Sequence, residues 1–166
     1  MITIEVHNTA VQAALSRLQA SISDPTPAMQ SIGDEMVSRI ALGFNDSRDP
    51  WGNGWEPLKL ATTLKRRHGN SPGADKPLVN FGHLASSFSA RADRESVTVG
   101  TNWMAGVIAT GAAIHQFGGK AGRGRKVTIP PRPFLPIRKW VGELPADWET
   151  AVVNILQRYI QGVVNE

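Results

Sequence analysis

The sequence predicts an α+β domain. Amphipathic helices pack on a small antiparallel β-sheet, and a long basic, glycine-rich loop projects from it. Three observations carry that prediction. Apolar residues recur at spacings of three and four in two long stretches, near residues 27–44 and 148–164. Strict alternation, the mark of a half-buried strand, is confined to short runs. Glycine and proline, 16 and 11 of 166 residues, gather between those segments and form no repeat. No linker separates two cores, so residues 1–166 read as one domain, with flexible loops about 45–57, 69–77 and 118–126.

The elements follow in order. Ile2, Ile4 and Val6 alternate with Thr3 and Glu5 and predict a short strand. Asn8 or Thr9 can cap a helix whose apolar face is Val11, Ala14, Leu15 and Leu18. Asp24, Pro25 and Pro27 set a turn and a helix entry. The helix of residues 27–44 carries Met29, Ile32, Met36, Ile40 and Phe44 on one stripe, widened by Val37 and Ala41. Gly43 marks its expected end. After the turn-rich loop, residues 58–68 predict a short helix, 69–77 a polar mobile stretch, and 78–87 another short helix. Phe88, Ala90 and Ala92, then Val97 and Val99, alternate around residues 93–96 as a β-hairpin. Residues 104–117 are ambiguous, with alanines and glycines that allow close backbone approach. Residues 118–126 hold four glycines and four cations in nine positions and predict an extended loop, with Val127, Thr128 and Ile129 returning as a strand. Pro130, Pro131, Pro133 and Pro136 keep the chain extended around Phe134 and Leu135. Asp147 can cap a C-terminal helix from Trp148 to about Val164, with Val152, Ile155, Leu156, Tyr159, Ile160 and Val163 as its stripe.

The net charge of +4 is unevenly spread. Residues 1–46 and 140–166 each carry −3, whereas residues 47–139 hold fifteen basic and five acidic side chains, a net of +10. Residues 116–139 have no acid at all. Such a field attracts polyanions or an acidic protein face, and the basic middle of one copy could meet an acidic end of the next. Chemistry is sparse by comparison. The absence of cysteine excludes a disulfide scaffold, thiol catalysis and cysteine-ligated zinc. No apolar run is long enough to span a membrane, and Met1 to Val6 do not read as a secretory leader. His7, His68, His83 and His115 form no i,i+4 pair, no Gly-x-Ser-x-Gly elbow occurs, and the glycine run lacks the Gly-Lys-Ser/Thr of a phosphate loop. No cofactor is therefore predicted. Asp46 and Asp49 could hold magnesium in a nuclease, although acids in such a loop more often make turn hydrogen bonds. Trp51, Trp55 and Trp103 flank glycine-rich turns, as interface anchors or as plugs of the core.

Several segments together resemble one family. Asp49-Pro50-Trp51-Gly52-Asn53-Gly54-Trp55-Glu56-Pro57-Leu58 resembles the Pro-x-Gly-x-x-Trp-x-Pro-Leu loop of the phage virion morphogenesis family. That family includes tail-completion proteins of P2-like phages and the G proteins of Mu-like phages. Thr62 or Thr63 with Lys65 is similar to its basic helix. Residues 78–87 are similar to its Leu-x-x-x-Gly-x-Leu-x-x-Ser segment, and residues 97–102 to its glycine-ended strand. Ile114-His115-Gln116-Phe117-Gly118 and Pro131-Arg132-Pro133-Phe134-Leu135 are similar to its last two motifs. The order is the family's, from about residue 30 to the C-terminal helix. Phe81 departs from a small hydroxyl residue, and residues 105–113 lack an expected tyrosine.

The resemblance implies a non-enzymatic protein that completes a phage tail or joins it to the head. It would act as a ring, such as a hexamer, made in the host bacterial cytoplasm and built into the virion tail or neck. Its partners would be further copies of itself, tail tube, sheath or neck proteins, and DNA in the channel, with no membrane. Assembly candidates are Trp51, Trp55, His115, Gln116, Phe117, Arg123, Arg125, Lys126, Arg132 and Phe134; Lys65, Arg66, Arg67 and Lys120 are candidates to face DNA. Two alternatives stand beside this reading. One is a DNA-binding module using the basic middle, although no helix-turn-helix, finger or RNA-recognition pattern occurs. The other is the metal-dependent nuclease of Asp46 and Asp49.

Overall fold

A computed structural model describes residues 9–103, 111–138, 141–142 and 144–165. Its helices are α1 (Thr9–Ser23), α2 (Thr26–Asp46), α3 (Leu60–His68), α4 (Gly111–Phe117) and α5 (Ala146–Asn165). Its strands are β1 (Phe88–Ala92), β2 (Val97–Thr101), β3 (Gly119–Ala121), β4 (Val127–Ile129), β5 (Ile137–Arg138) and β6 (Val141–Gly142). They pair antiparallel as β1–β2, β3–β4 and β5–β6. The fold is α+β, as expected. The predicted strand of Ile2 to Val6 and the ambiguous stretch 104–110 lie outside the described residues.

α2 is the central element. Pro25 is its N-cap and Pro27 sits in its first turn, where a missing N–H costs nothing. Its buried residues include Ile32, Ile40 and Phe44 from the expected stripe. The helix runs past Gly43 and stops at Ser47, whose left-handed φ of 54° turns its N–H back to the Gly43 carbonyl. The β1–β2 hairpin lies across α2, pairing Phe88 with Thr101 and Ala92 with Val97. Asp93 fixes the turn by accepting from the Glu95 and Ser96 N–H groups. α5 packs on α1 and α2. It begins at Ala146, two residues earlier than an Asp147 cap requires; the Pro145 carbonyl accepts from Trp148 and Glu149. Asp147 instead pairs with Arg39 at 2.6 Å, beside the buried Trp148. Tyr159 donates to the Asp24 carbonyl, tying α5 to the α1–α2 turn.

One loop expectation changes, and two further loop segments gain definition. Residues 78–87 form turns and no helix, because Leu78 and Gly82 sit at φ 60° and 83°, outside helical space. Within 69–77, expected to be mobile, Ser71, Gly73, Ala74 and Pro77 are buried. Arg66 donates to the Gly73 and Lys76 carbonyls, and the Ser71 hydroxyl lies 2.7 Å from the Asn80 carbonyl. The basic run 118–126 closes as the β3–β4 ladder around a 3-10 turn at Arg123–Arg125, and the return strand falls on residues 127–129 as expected.

The core gathers Ile40, Phe44, Trp55, Leu84, Phe134 and Trp148. Helix and hairpin meet most closely at Gly33. A Cβ there would lie 2.6 Å from the Ala90 Cβ and 2.9 Å from a Val97 methyl, and the Ala90 Cβ cannot swing aside. Gly33→Ala gains helix propensity, about 1 kcal/mol, but forces the hairpin off α2. Overpacking of this kind costs about 1–3 kcal/mol. A net fall in the urea midpoint is expected; an unchanged or raised midpoint would show that the hairpin rides freely on α2.

Candidate assembly site

Three of the motif segments meet in one place. The loop after α2 closes on Asp49, whose carboxylate accepts from the Trp51 N–H, the Asn53 N–H and the Asn53 side-chain amide. An Arg48–Gly54 bridge completes that turn and delivers Trp55 to the core. The Trp55 indole stands edge-on to Phe44, with ring centroids 5.3 Å apart, and its Nε1–H donates to the Pro133 carbonyl at 2.7 Å. Phe134 packs within 5.6 Å of Phe44 and 5.5 Å of Phe88.

Gln116 of α4 is buried and uses both ends of its amide. Nε2 donates to the Leu135 carbonyl at 2.9 Å, and Oε1 accepts from the Phe134 and Leu135 N–H groups at 2.9 and 3.0 Å. It serves the proline-rich segment as a neighbouring strand would. Arg132, also buried, receives the same treatment in reverse. Its N–H donates to the His115 carbonyl, and its guanidinium donates to the Glu56 and Pro57 carbonyls. Gly118 ends α4 at φ 75°, and a Cβ there would lie 3.0 Å from Pro131. The motif glycine is thus required twice over, by its left-handed backbone and by the proline beside it.

Beside this brace lies a cleft of about 440 Å³. Leu58, Leu78, Phe81, Leu84, Trp103 and Val127 are among its apolar walls, and His115, Arg66 and Arg132 also line it. The His115 Nδ1 is buried without a hydrogen-bond partner among the described residues. Burial lowers the pKa of this imidazole, and the positive charges of Arg132 and Arg66 push the same way. Arg66 and Arg132 are themselves lowered, chiefly by burial, with Glu56 opposing the shift at Arg132.

The other sequence candidates are dispersed. Trp51 is half-buried at a separate groove between α2 and the start of α5. Phe117 is half-buried at the end of α4. Lys120, Arg123 and Lys126 are exposed on the β3–β4 hairpin, while the Arg125 side chain lies outside the described residues. Lys65 is exposed, Arg66 turns inward to its two carbonyls, and Arg67 pairs with Asp75. Trp55, Gln116, Arg132 and Phe134 are inside the protomer, so any effect they have on a partner passes through the loops they hold. Sequence reasoning missed Phe44 as the hub of the aromatic cluster; its place on the α2 stripe was visible, its ring neighbours were not. Among the described residues no cluster of three or more His, Asp and Glu gathers to hold a metal, and Asp49 is engaged in its own turn. No helix among them is long and apolar enough to cross a membrane.

Two measurements test the brace. Gln116→Leu leaves the Phe134 and Leu135 N–H groups unpaired in the interior. Each orphaned group costs about 1–3 kcal/mol, so a loss of at least about 2 kcal/mol in urea unfolding is expected; a much smaller loss would mean that water replaces the amide. His115 gives a pH signature. Its folded pKa is depressed, so the unfolded chain takes the proton first and stability falls as the pH drops through about 6.5. Wild-type Tm should fall between about pH 7.5 and 5.5 more steeply than that of His115→Gln; parallel curves would remove His115 as the cause.

Comparison with known proteins agrees with the motif geometry. No solved structure matches the chain. The Mu-like prophage FluMu G protein 2 of Haemophilus influenzae (strain ATCC 51907 / DSM 11121 / KW20 / Rd) is 37% identical over 162 residues, covering 97% of each chain. The profile of the phage virion morphogenesis family matches residues 6–161, nearly the whole of the sequence. With the loop, the α4 motif and the proline-rich motif locked together in one brace, the chain belongs to the phage virion morphogenesis family.

Proposed function

We propose that this protein is a structural component of a phage or prophage particle that completes the tail or joins tail to head, acting as a ring of identical subunits. The observation that carries this reading is the near full-length likeness to a Mu-like prophage G protein within a virion morphogenesis family. The brace supports it. Gln116, Arg132 and the Trp55 indole are hydrogen-bonded to the protein's own backbone, an arrangement that positions loops. The protein then works by binding, without catalysis. Its neighbours are other copies in a ring, together with tail tube, sheath or neck proteins. The exposed cations of the β3–β4 hairpin, Lys120, Arg123 and Lys126, suit an acidic partner or DNA in the lumen. It would be made in the host bacterial cytoplasm and carried in the virion tail or neck. A free-standing DNA-binding module is less well supported, because Arg66 and Arg67 are held by Gly73, Lys76 and Asp75.

Removing the gene from an inducible prophage tests this reading. Heads and tails that fail to join, or unfinished tails, are expected by negative-stain microscopy, with rescue by the wild-type gene in trans. Normal infectious particles without the gene would end the proposal. Replacing Lys120, Arg123 and Lys126 together by serine is expected to leave Tm unchanged and lower the yield of complete particles severalfold.

A further inference from the structure

α3 is weakly supported within the protomer. None of its nine residues is buried. Isolated helices shorter than about 12–15 residues are marginal in water, so this one calls for a packing partner. Leu60 and Leu64 lie one turn apart, 73% and 45% exposed. They form one outward stripe that Arg67 extends by another turn. The opposite side of the helix, at Thr62 and Arg66, lines the cleft. Neither leucine is among the residues that line that cleft. α3 carries three cations at Lys65 to Arg67 and no acid. Lys65 makes no ion pair among the described residues, and Arg67 makes only an exposed one with Asp75.

α5 presents the complementary surface. Glu149, Val153, Gln157 and Ile160 fall on one face at successive turns, all exposed. Val153 is 50% and Ile160 48% exposed. Arg39 takes Asp147, whereas the Glu149 carboxylate has no partner among the described residues. One stripe is apolar with Lys65, unpaired among the described residues, and the exposed Arg67–Asp75 pair at its C-terminal end; the other is apolar with Glu149 at its N-terminal end.

We infer that α3 of one copy packs antiparallel on the outer face of α5 of the next copy. Leu64 then meets Val153, Leu60 lies toward Ile160, and Lys65 and Arg67 approach Glu149. The reverse orientation would place Glu149 beside Leu60 and leave Lys65 without a counter-charge. The two faces are unlike, so the contact is heterologous and propagates around a ring or along a filament. This deepens the self-assembly part of the proposed function and rests on it.

The chain has no cysteine, so single-cysteine variants report the contact directly. Leu64→Cys protein is mixed with Val153→Cys protein and treated with a short bis-maleimide. A covalent dimer is expected in the mixture, several times above either protein alone and above a mixture in which Ser89→Cys replaces Val153→Cys. Adding Glu149→Lys to the Val153→Cys chain should cut the yield severalfold, and Lys65→Glu in its partner should restore part of it. Leu64→Cys cross-linking to itself as well as it does to Val153→Cys, or a mixture no better than the Ser89→Cys control, overturns the assignment. Thermal melts confirm that each variant folds. The gene-deletion assay separates the two ideas. If Leu64→Asp and Val153→Asp fold and still complete particles, this surface falls while the morphogenesis role stands; a silent gene deletion removes the role itself.

Discussion

The stretch from Pro130 to Pro136 imposes the constraint on which the rest of the molecule depends. Prolines at 130, 131, 133 and 136 remove donors and hold the chain extended, so it cannot enter a ladder as a central strand. Yet Phe134 from the middle of it must reach the core, where unpaired backbone groups are costly. The remaining donors are all satisfied. Arg132 N–H reaches the His115 carbonyl, Phe134 and Leu135 reach the Gln116 side chain, and Ile137 reaches the Leu135 carbonyl. The Trp55 indole completes the set from the other side, at the Pro133 carbonyl. A side-chain amide, a histidine carbonyl and an indole together do what a sheet would otherwise do.

The aromatic hub follows from the same constraint. Phe44, Trp55, Phe88 and Phe134 come from α2, the turn-rich loop, β1 and the proline-rich segment, and meet around the Phe44 ring. Each of these elements is weak alone. A two-stranded hairpin is at best marginal in water, and the β3–β4 and β5–β6 ladders are shorter still. Packing on one ring makes them interdependent. Tilted and edge-on pairs of this kind add about 0.5–1.5 kcal/mol each beyond the area they bury.

Much of this was legible. α2 and α5 announce themselves by period, β1–β2 and β4 by alternation, because each depends on neighbours within a turn or a pair. The failures were decisions taken at long range. Leu78 adopts a left-handed backbone although nothing local demands it, and a short helix is lost. Asp147 has the right chemistry for a cap but finds Arg39, which lies 108 residues away. Gln116 and Arg132 were visible as motif residues, while their partners, separated from them by 18–19 and 75–76 residues, were not. Trp51 and Trp55 looked alike in sequence; only the turn on Asp49 sends the second into the core.

The location of the motifs bears on how such a protein can be specific. The loop, α4 and proline-rich motifs that mark the family resolve into hydrogen bonds within the protomer, with Gln116, Arg132 and Phe134 buried. Residues of this kind fix the shape of a subunit but carry no information about what it touches. In the assembly proposed above, recognition falls to groups outside the brace: the stripe of Leu60 and Leu64, the outer face of α5, and the cations of the β3–β4 hairpin. None of these contributes to the buried core, so they can vary without disturbing it. A frame marked by interior motifs, with its proposed binding faces on elements the frame does not need, would let one fold be fitted to different neighbours.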